Sequence, residues 1–69
     1  MKPMQLIRDS MAAVTSGDYP EDLAERIAVP AVGFVHCALR TLENLELIAW
    51  QHDAIMLTEK GRKAQRCLR

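Results

Sequence analysis

Three prolines constrain the fold of this 69-residue chain more than any other feature, because each is placed to open a helix. Proline holds φ at about −65° and lacks an N–H, so it suits the first helical turn and disrupts helix interiors. Pro3, Pro20 and Pro30 therefore predict three helices that begin close to these positions. Pro30 also disfavours helical geometry at Val29, which separates the second helix from the third.

The first predicted helix has apolar residues at spacings of three and four, which places them on one face. These residues are Met4, Ile7, Met11 and Val14. The helix is expected over roughly residues 3–16, with Gly17 as its left-handed cap. A second, short helix is expected from Pro20 to a tight turn at Ala28-Val29, with acids in its first turn as the helix dipole favours.

The third helix is expected from Pro30 to about residue 46, with a core stripe along one side of its helical wheel. The stripe consists of Val35, Ala38, Leu39, Leu42 and Leu45. Two short helices that flank a tight turn are the arrangement of a helix-turn-helix.

Two short apolar runs, Leu47–Trp50 and Ala54–Leu57, are joined by three residues and predict a small antiparallel hairpin. Its inner face is expected to consist of Ile48, Ile55 and Leu57, with Trp50 inward or at the base. Thr58 is a good N-cap for a last helix. The apolar residues of that helix are Ala64, Cys67 and Leu68.

Size and composition indicate one domain over residues 1–69, since so short a chain buries only about 60% of its unfolded surface. Its core must be aliphatic, because there are only three aromatic residues, and self-association or a partner would add stability. No apolar run approaches the roughly 20 residues of a membrane span, and the N-terminus does not resemble a secretory signal. No membrane association is expected.

Two interpretations of Cys37 and Cys67 stay open: one disulfide, or two reduced thiols in a cytoplasmic protein. The second is favoured, because small disulfide-stapled domains usually carry four or more cysteines. The cysteines and histidines match no zinc spacing, and no phosphate loop or nucleophile arrangement is present. We therefore expect no metal, no cofactor and no enzymatic activity.

Charges are segregated along a chain whose net charge is zero. Residues 18–46 hold six acids against Arg26 and Arg40, a balance of −4, whereas residues 58–69 hold five bases against Glu59, a balance of +4. The bases of the last helix either contact an anionic partner or form a solvated face that suits a helix C-terminus. The candidates for phosphate contacts are Lys60, Arg62, Lys63 and Arg66.

Three strings resemble the winged helix-turn-helix transcription regulators, in the order that this family has them. Pro20–Val29 is similar to the second helix and turn, and Leu39–Ile48 to the third helix entering the wing. Leu57–Arg62 resembles the strand-to-helix junction of MarR-like and PadR-like regulators. The resemblance covers nearly the whole chain. It implies a mostly α fold with a small β-hairpin: a three-helix core, a wing and a C-terminal helix.

The resemblance also implies a homodimer that binds duplex DNA through the third helix and the wing. The candidate contact residues on the outward face of that helix are Gly33, Phe34, His36, Cys37, Arg40, Thr41 and Asn44, and those on the wing are Gln51 and His52. Arg40 would be the main anchor, because it is the only permanent cation of the helix, although groove-reading helices usually carry several.

The alternative hypothesis is a winged-helix module that binds another protein and little or no DNA. Phe34 bears on this choice. It is expected at the edge of the core, but full exposure would favour a hydrophobic protein interface.

Overall fold

The computed structural model describes residues 3–68, and its elements confirm a mostly helical chain with a two-stranded antiparallel hairpin. In chain order, the elements are α1 (Pro3–Ala13), α2 (Pro20–Arg26), α3 (Val32–Asn44), β1 (Ile48–Gln51), β2 (Ala54–Leu57) and α4 (Glu59–Leu68).

The prediction that α1 extends to about residue 16 is wrong: the Val14 N–H still donates to the Ser10 carbonyl, but the backbone after Val14 bonds elsewhere. The Thr15 N–H donates to the Asp18 carboxylate over 2.8 Å, and the Gly17 N–H donates to the Ile55 carbonyl over 2.7 Å. Gly17 does adopt a positive φ of 96°, but in this turn and not as a helix cap.

The second helix begins at Pro20, as predicted, with Tyr19 as its N-cap. The turn after α2 contains Ala28 at a φ of 58°, which confirms the predicted tight turn. The third helix begins at Val32 and not at Pro30, because Ala31 is still extended, with φ −119° and ψ 114°. It ends at Asn44, two residues earlier than expected.

The hairpin forms as predicted, with a shorter connection. Gln51 pairs with Ala54, so the turn consists of His52 and Asp53 and not of three residues. His52 accommodates this turn with a φ of 56°. On the other edge of β2, an isolated antiparallel bridge joins Ile55 to Asp18, which ties the segment after α1 to the hairpin.

The core lies between α1, α2, α3 and the hairpin. Its buried apolar residues are Met11, Val14, Leu23, Ala24, Val35, Ala38, Leu39, Leu42, Ile48 and Ile55. Leu57 and Trp50 are half-buried against this core, in agreement with the predicted inner face.

Two residues predicted to be in the core lie outside it. Leu45 is 50% exposed, because α3 ends one residue earlier and the stripe does not continue into the turn. Met4, in the first turn of α1, is 76% exposed.

Thr58 caps α4 as predicted, since the Gly61 N–H donates to its hydroxyl over 3.0 Å. The face of α4 that packs on the core differs from the predicted one. It presents Gly61 and Gln65, which are buried, whereas Cys67 and Leu68 are exposed. None of the helices within residues 3–68 combines the length and apolar character that crossing a bilayer requires.

Candidate functional site

The outward face of α3 presents the side chains that the sequence predicted there. The exposed residues are Gly33, Phe34, His36, Cys37, Arg40 and Asn44. Thr41 is half-buried, and its hydroxyl lies 3.4 Å from the Cys37 carbonyl, to which it donates. Six of the seven predicted positions on this helix are thus accessible to a partner.

Phe34 is 60% exposed, which corrects the expectation that it lies at the edge of the core. On the helical wheel Phe34 lies at the flank of the buried stripe of α3, which runs through Val35, Ala38, Leu39 and Leu42, and the folded chain leaves this flank open to solvent. Phe34 borders a small hollow of about 250 Å³, formed with residues of α1 and of the turn between α2 and α3. An exposed aromatic ring beside a hollow is a feature of protein-binding surfaces.

Gln51 and His52 lie exposed at the tip of the hairpin, as predicted for the wing. His52 and His36 of α3 line the same open hollow of about 490 Å³, which we call the aromatic hollow. Its lining residues are Tyr19, Pro20, Glu21, His36, Trp50, His52 and Asp53. The structure therefore brings part of the predicted helix and part of the predicted wing into one surface.

No local sequence pattern predicts the aromatic hollow as a site. Tyr19 and Glu21 come from the start of α2, whereas Trp50 and Asp53 come from the hairpin, about thirty positions later in the chain. No local motif joins these segments. The start of α2 at Pro20 and the hairpin turn indicate where each group of residues lies along the chain. They do not indicate that the two groups meet in space.

Arg26 is bound within the fold and is not available to a partner as a free cation. It donates to both oxygens of the Asp18 carboxylate, over 2.6 and 3.1 Å, and to the Ala13 carbonyl over 2.9 Å. The hydrogen bond from Arg26 lowers the pKa of Asp18 from its ordinary value of 3.8, against the raising effect of burial. Of the two permanent cations in residues 18–57, only Arg40 is therefore without an ion-pair partner.

The bases of α4 are exposed, as a phosphate-binding role requires: Lys60, Arg62, Lys63 and Arg66. This helix packs on α1 and β2, whereas α3 packs on α1, α2 and β1. No hydrogen bond or ion pair joins these bases to α3 within residues 3–68. Lys63 lies 4.0 Å from Glu59 in an exposed pair, a kind that contributes little to stability.

A second surface is an open apolar groove of about 860 Å³ between α1, the C-terminal end of α3 and α4. The apolar residues that line it include Met4, Ile7, Leu45, Leu47, Cys67 and Leu68. Four of these lie exposed, although each was among the apolar residues predicted for its helix: Met4, Leu45, Cys67 and Leu68. The apolar faces of α1 and α4 therefore continue beyond the core onto the surface.

Cys37 on α3 and Cys67 on α4 are free, exposed thiols. Over residues 3–68, no three histidine, cysteine or carboxylate side chains are grouped closely enough to hold a metal ion. Comparisons with protein-family models, with curated proteins and with solved structures found no match. The resemblance to winged helix-turn-helix regulators therefore stays a prediction.

Proposed function

We propose that this chain is a winged helix-turn-helix module that binds another protein through α3 and the hairpin and catalyses no reaction. The element order supports the fold proposal: two short helices around a tight turn are followed by a hairpin and a last helix. The bridge between Asp18 and Ile55 supports it further, because it anchors the wing to the segment between the first two helices.

The observation that carries the choice of a protein partner is the 60% exposure of Phe34 on a helix face with a single cation. Proteins anchor on nucleic acid by neutralising phosphates with Lys and Arg. Here Arg40 is the only cation on α3, and Arg26 is bound to Asp18. Two acids, Glu21 of α2 and Asp53 of the hairpin turn, line the hollow beside α3. An exposed aromatic ring among nearly neutral side chains is instead typical of the centre of a protein interface.

Selection of peptides from a random display library against the immobilised chain tests this proposal. We expect the wild-type chain to enrich related peptides and Phe34→Asp to lose them. Both proteins should unfold at the same temperature, because Phe34 is exposed and lies outside the core. A matched control is Glu25→Ala, an exposed change on α2 and outside α3 and the hairpin, which should retain the selected peptides. Retention of every selected peptide by Phe34→Asp would contradict the proposal.

Duplex DNA is the second candidate partner, and the exposed bases of α4 are the observation in its favour. In this version Arg40 and Asn44 contact the major groove, His52 approaches the backbone, and α4 adds phosphate contacts. Each phosphate contact makes binding weaker as salt rises. An electrophoretic shift that is lost in Arg40→Ala and weakens with salt would establish this candidate. Absence of a shift at low salt would exclude it.

We place the module in the cytoplasm. The support is that Cys37 on α3 and Cys67 on α4 are both free and exposed. Reducing conditions keep such thiols unpaired, whereas an oxidising compartment would promote cross-links between copies.

A further inference from the structure

We propose that the aromatic hollow receives an arginine side chain of the partner protein. This inference rests on the proposed function, since it identifies the chemistry of the partner at one part of the same surface. The observations that carry it are the aromatic walls of the hollow, the charges around it and the absence of any Lys or Arg from its lining.

The aromatic walls suit a planar cation. Tyr19 is 52% exposed at the N-cap of α2, and Trp50 is half-buried on β1, with the hollow between them. A guanidinium group is attracted to the faces of such rings and is more weakly hydrated than an ammonium group. Arginine is therefore preferred over lysine at this position.

The charges of the hollow also favour a cation. Glu21 lies on the α2 side and Asp53 on the hairpin side, and neither carboxylate forms an ion pair within the described residues. The remaining titratable groups of the lining are Tyr19, His36 and His52, so no permanent cation offsets the two acids. Such a field attracts a basic side chain and repels a phosphate or a carboxylate.

The size of the hollow also fits a side chain with its flanking backbone. Its volume of about 490 Å³ lies within the range of roughly 300–1,000 Å³ that small ligands occupy in proteins. Phe34 and His36 lie two positions apart on α3, on opposite flanks of its buried stripe, so a partner that contacts both must span the exposed face of the helix.

Trp50 makes the proposal testable in the intact chain, because it is the only tryptophan and lines the hollow. The probe is a capped pentapeptide with one arginine between alanines, titrated while Trp50 fluorescence is recorded. We expect a saturable change with the arginine peptide, a weaker one with the lysine version and none with the glutamine version. An equal response to the glutamine peptide would overturn the role of charge.

Two variants locate the binding. Glu21→Gln and Asp53→Asn should each weaken the arginine peptide by roughly twofold to fivefold, as loss of one partly solvated ion pair does. Glu25→Gln is the matched control, because Glu25 is an exposed acid of the same helix outside the hollow. Equal affinity of all three variants and the wild-type chain would overturn the assignment of the hollow.

The remaining outcomes separate this inference from the proposed function. If Trp50 does not respond to the arginine peptide while Phe34-dependent peptides are still selected, the inference fails and the protein-binding proposal stands. A single-stranded oligonucleotide of eight thymidines tests whether the hollow binds a nucleobase instead. If it changes Trp50 fluorescence saturably and the arginine peptide does not, the hollow binds a nucleobase and the inference is wrong.

Discussion

Gly61 and Gly33 both lie within helices, under opposite steric conditions. A Cβ atom on Gly61 would lie 1.9 Å from the Leu47 carbonyl oxygen, whereas a Cβ on Gly33 would meet no atom within 4 Å. Gly61 is therefore needed where α4 crosses the backbone that leads into β1. Gly33 leaves α3 without a side chain at one position of its outward face.

These conditions predict opposite effects of the same substitution. Gly61→Ala should lower the free energy of unfolding by about 2 kcal/mol, because the clash with backbone exceeds the gain in helix propensity. Gly33→Ala should raise it by up to about 1 kcal/mol, since only the propensity changes. Urea unfolding followed by circular dichroism measures both. A stabilised Gly61→Ala variant would show that α4 can move away from Leu47.

The ion pair between Asp18 and Arg26 makes the stability of the fold depend on pH. The pKa of Asp18 is lowered in the folded chain by the hydrogen bond from Arg26, so the unfolded state binds more protons in the acid range. The stabilisation is complete above the ordinary value of 3.8 and is lost as pH falls through the lower, folded pKa. Asp18→Asn should therefore be less stable than wild type at about pH 7, with a difference that shrinks towards about pH 2. An unchanged difference in urea unfolding would contradict this.

At the scale of elements, Gln65 holds α4 on α1. Its side-chain N–H groups donate to the Met11 and Val14 carbonyls over 3.1 and 2.6 Å, close to where α1 ends. Carbonyls at a helix C-terminus lack partners within the helix, so this buried amide supplies what the local sequence cannot. Arg26 does the same for the Ala13 carbonyl.

Replacement of Gln65 should therefore remove both of these hydrogen bonds at once. Gln65→Met keeps the volume but leaves two carbonyls without a donor, at a cost of about 2 kcal/mol in the free energy of unfolding. Gln51→Met is the control, because Gln51 is exposed on the hairpin and should change stability little. Thermal unfolding of the two variants beside the wild-type chain gives the comparison. Equal midpoints for all three would show that the Gln65 bonds do not stabilise the packing of α4.

The start of a helix was predicted correctly where neighbouring residues determine it. Pro20 and Thr58 are starts that nearby atoms determine, and both were predicted correctly. The end of α1 was wrong because Asp18 and the edge of β2 compete for its backbone. The buried face of α4 was wrong because Gly61 meets Leu47 only in the folded chain.

The candidate site was predictable to the same extent. The outward face of α3 follows from its helical period, so its exposed residues were largely correct. The aromatic hollow joins three segments that no sequence spacing relates. The ion pair between Arg26 and Asp18 was not predicted either. It occupies one of the two permanent cations in residues 18–57.

At the scale of the whole molecule, the two surfaces lie on different sets of elements. The aromatic hollow lies between α2, α3 and the hairpin, and the apolar groove lies between α1, the end of α3 and α4. A partner bound at the hollow would therefore leave the groove free for a second copy of the chain. The predicted homodimer would use the groove.

The groove gives that homodimer a test. Leu45→Asp should convert a wild-type dimer to a monomer, because Leu45 is exposed beside Met4 and Leu68 and a charge there opposes apolar contact. Sedimentation velocity measures the change, and the folded state should persist since Leu45 is outside the core. Glu46→Asp, a change that keeps the charge in the neighbouring turn, is the control. A monomeric wild-type chain would make the dimer prediction wrong.

The bridge between Asp18 and Ile55 has a consequence for the order in which the chain acquires structure. Helices form from neighbouring residues, whereas this bridge requires the segment after α1 to meet a strand far along the chain. Closing so long a loop is entropically costly until α2 and α3 are packed. The bridge can therefore open while the helices stay packed, and the amide protons of Gly17 and Ile55 should exchange with deuterium before those in the middle of α3.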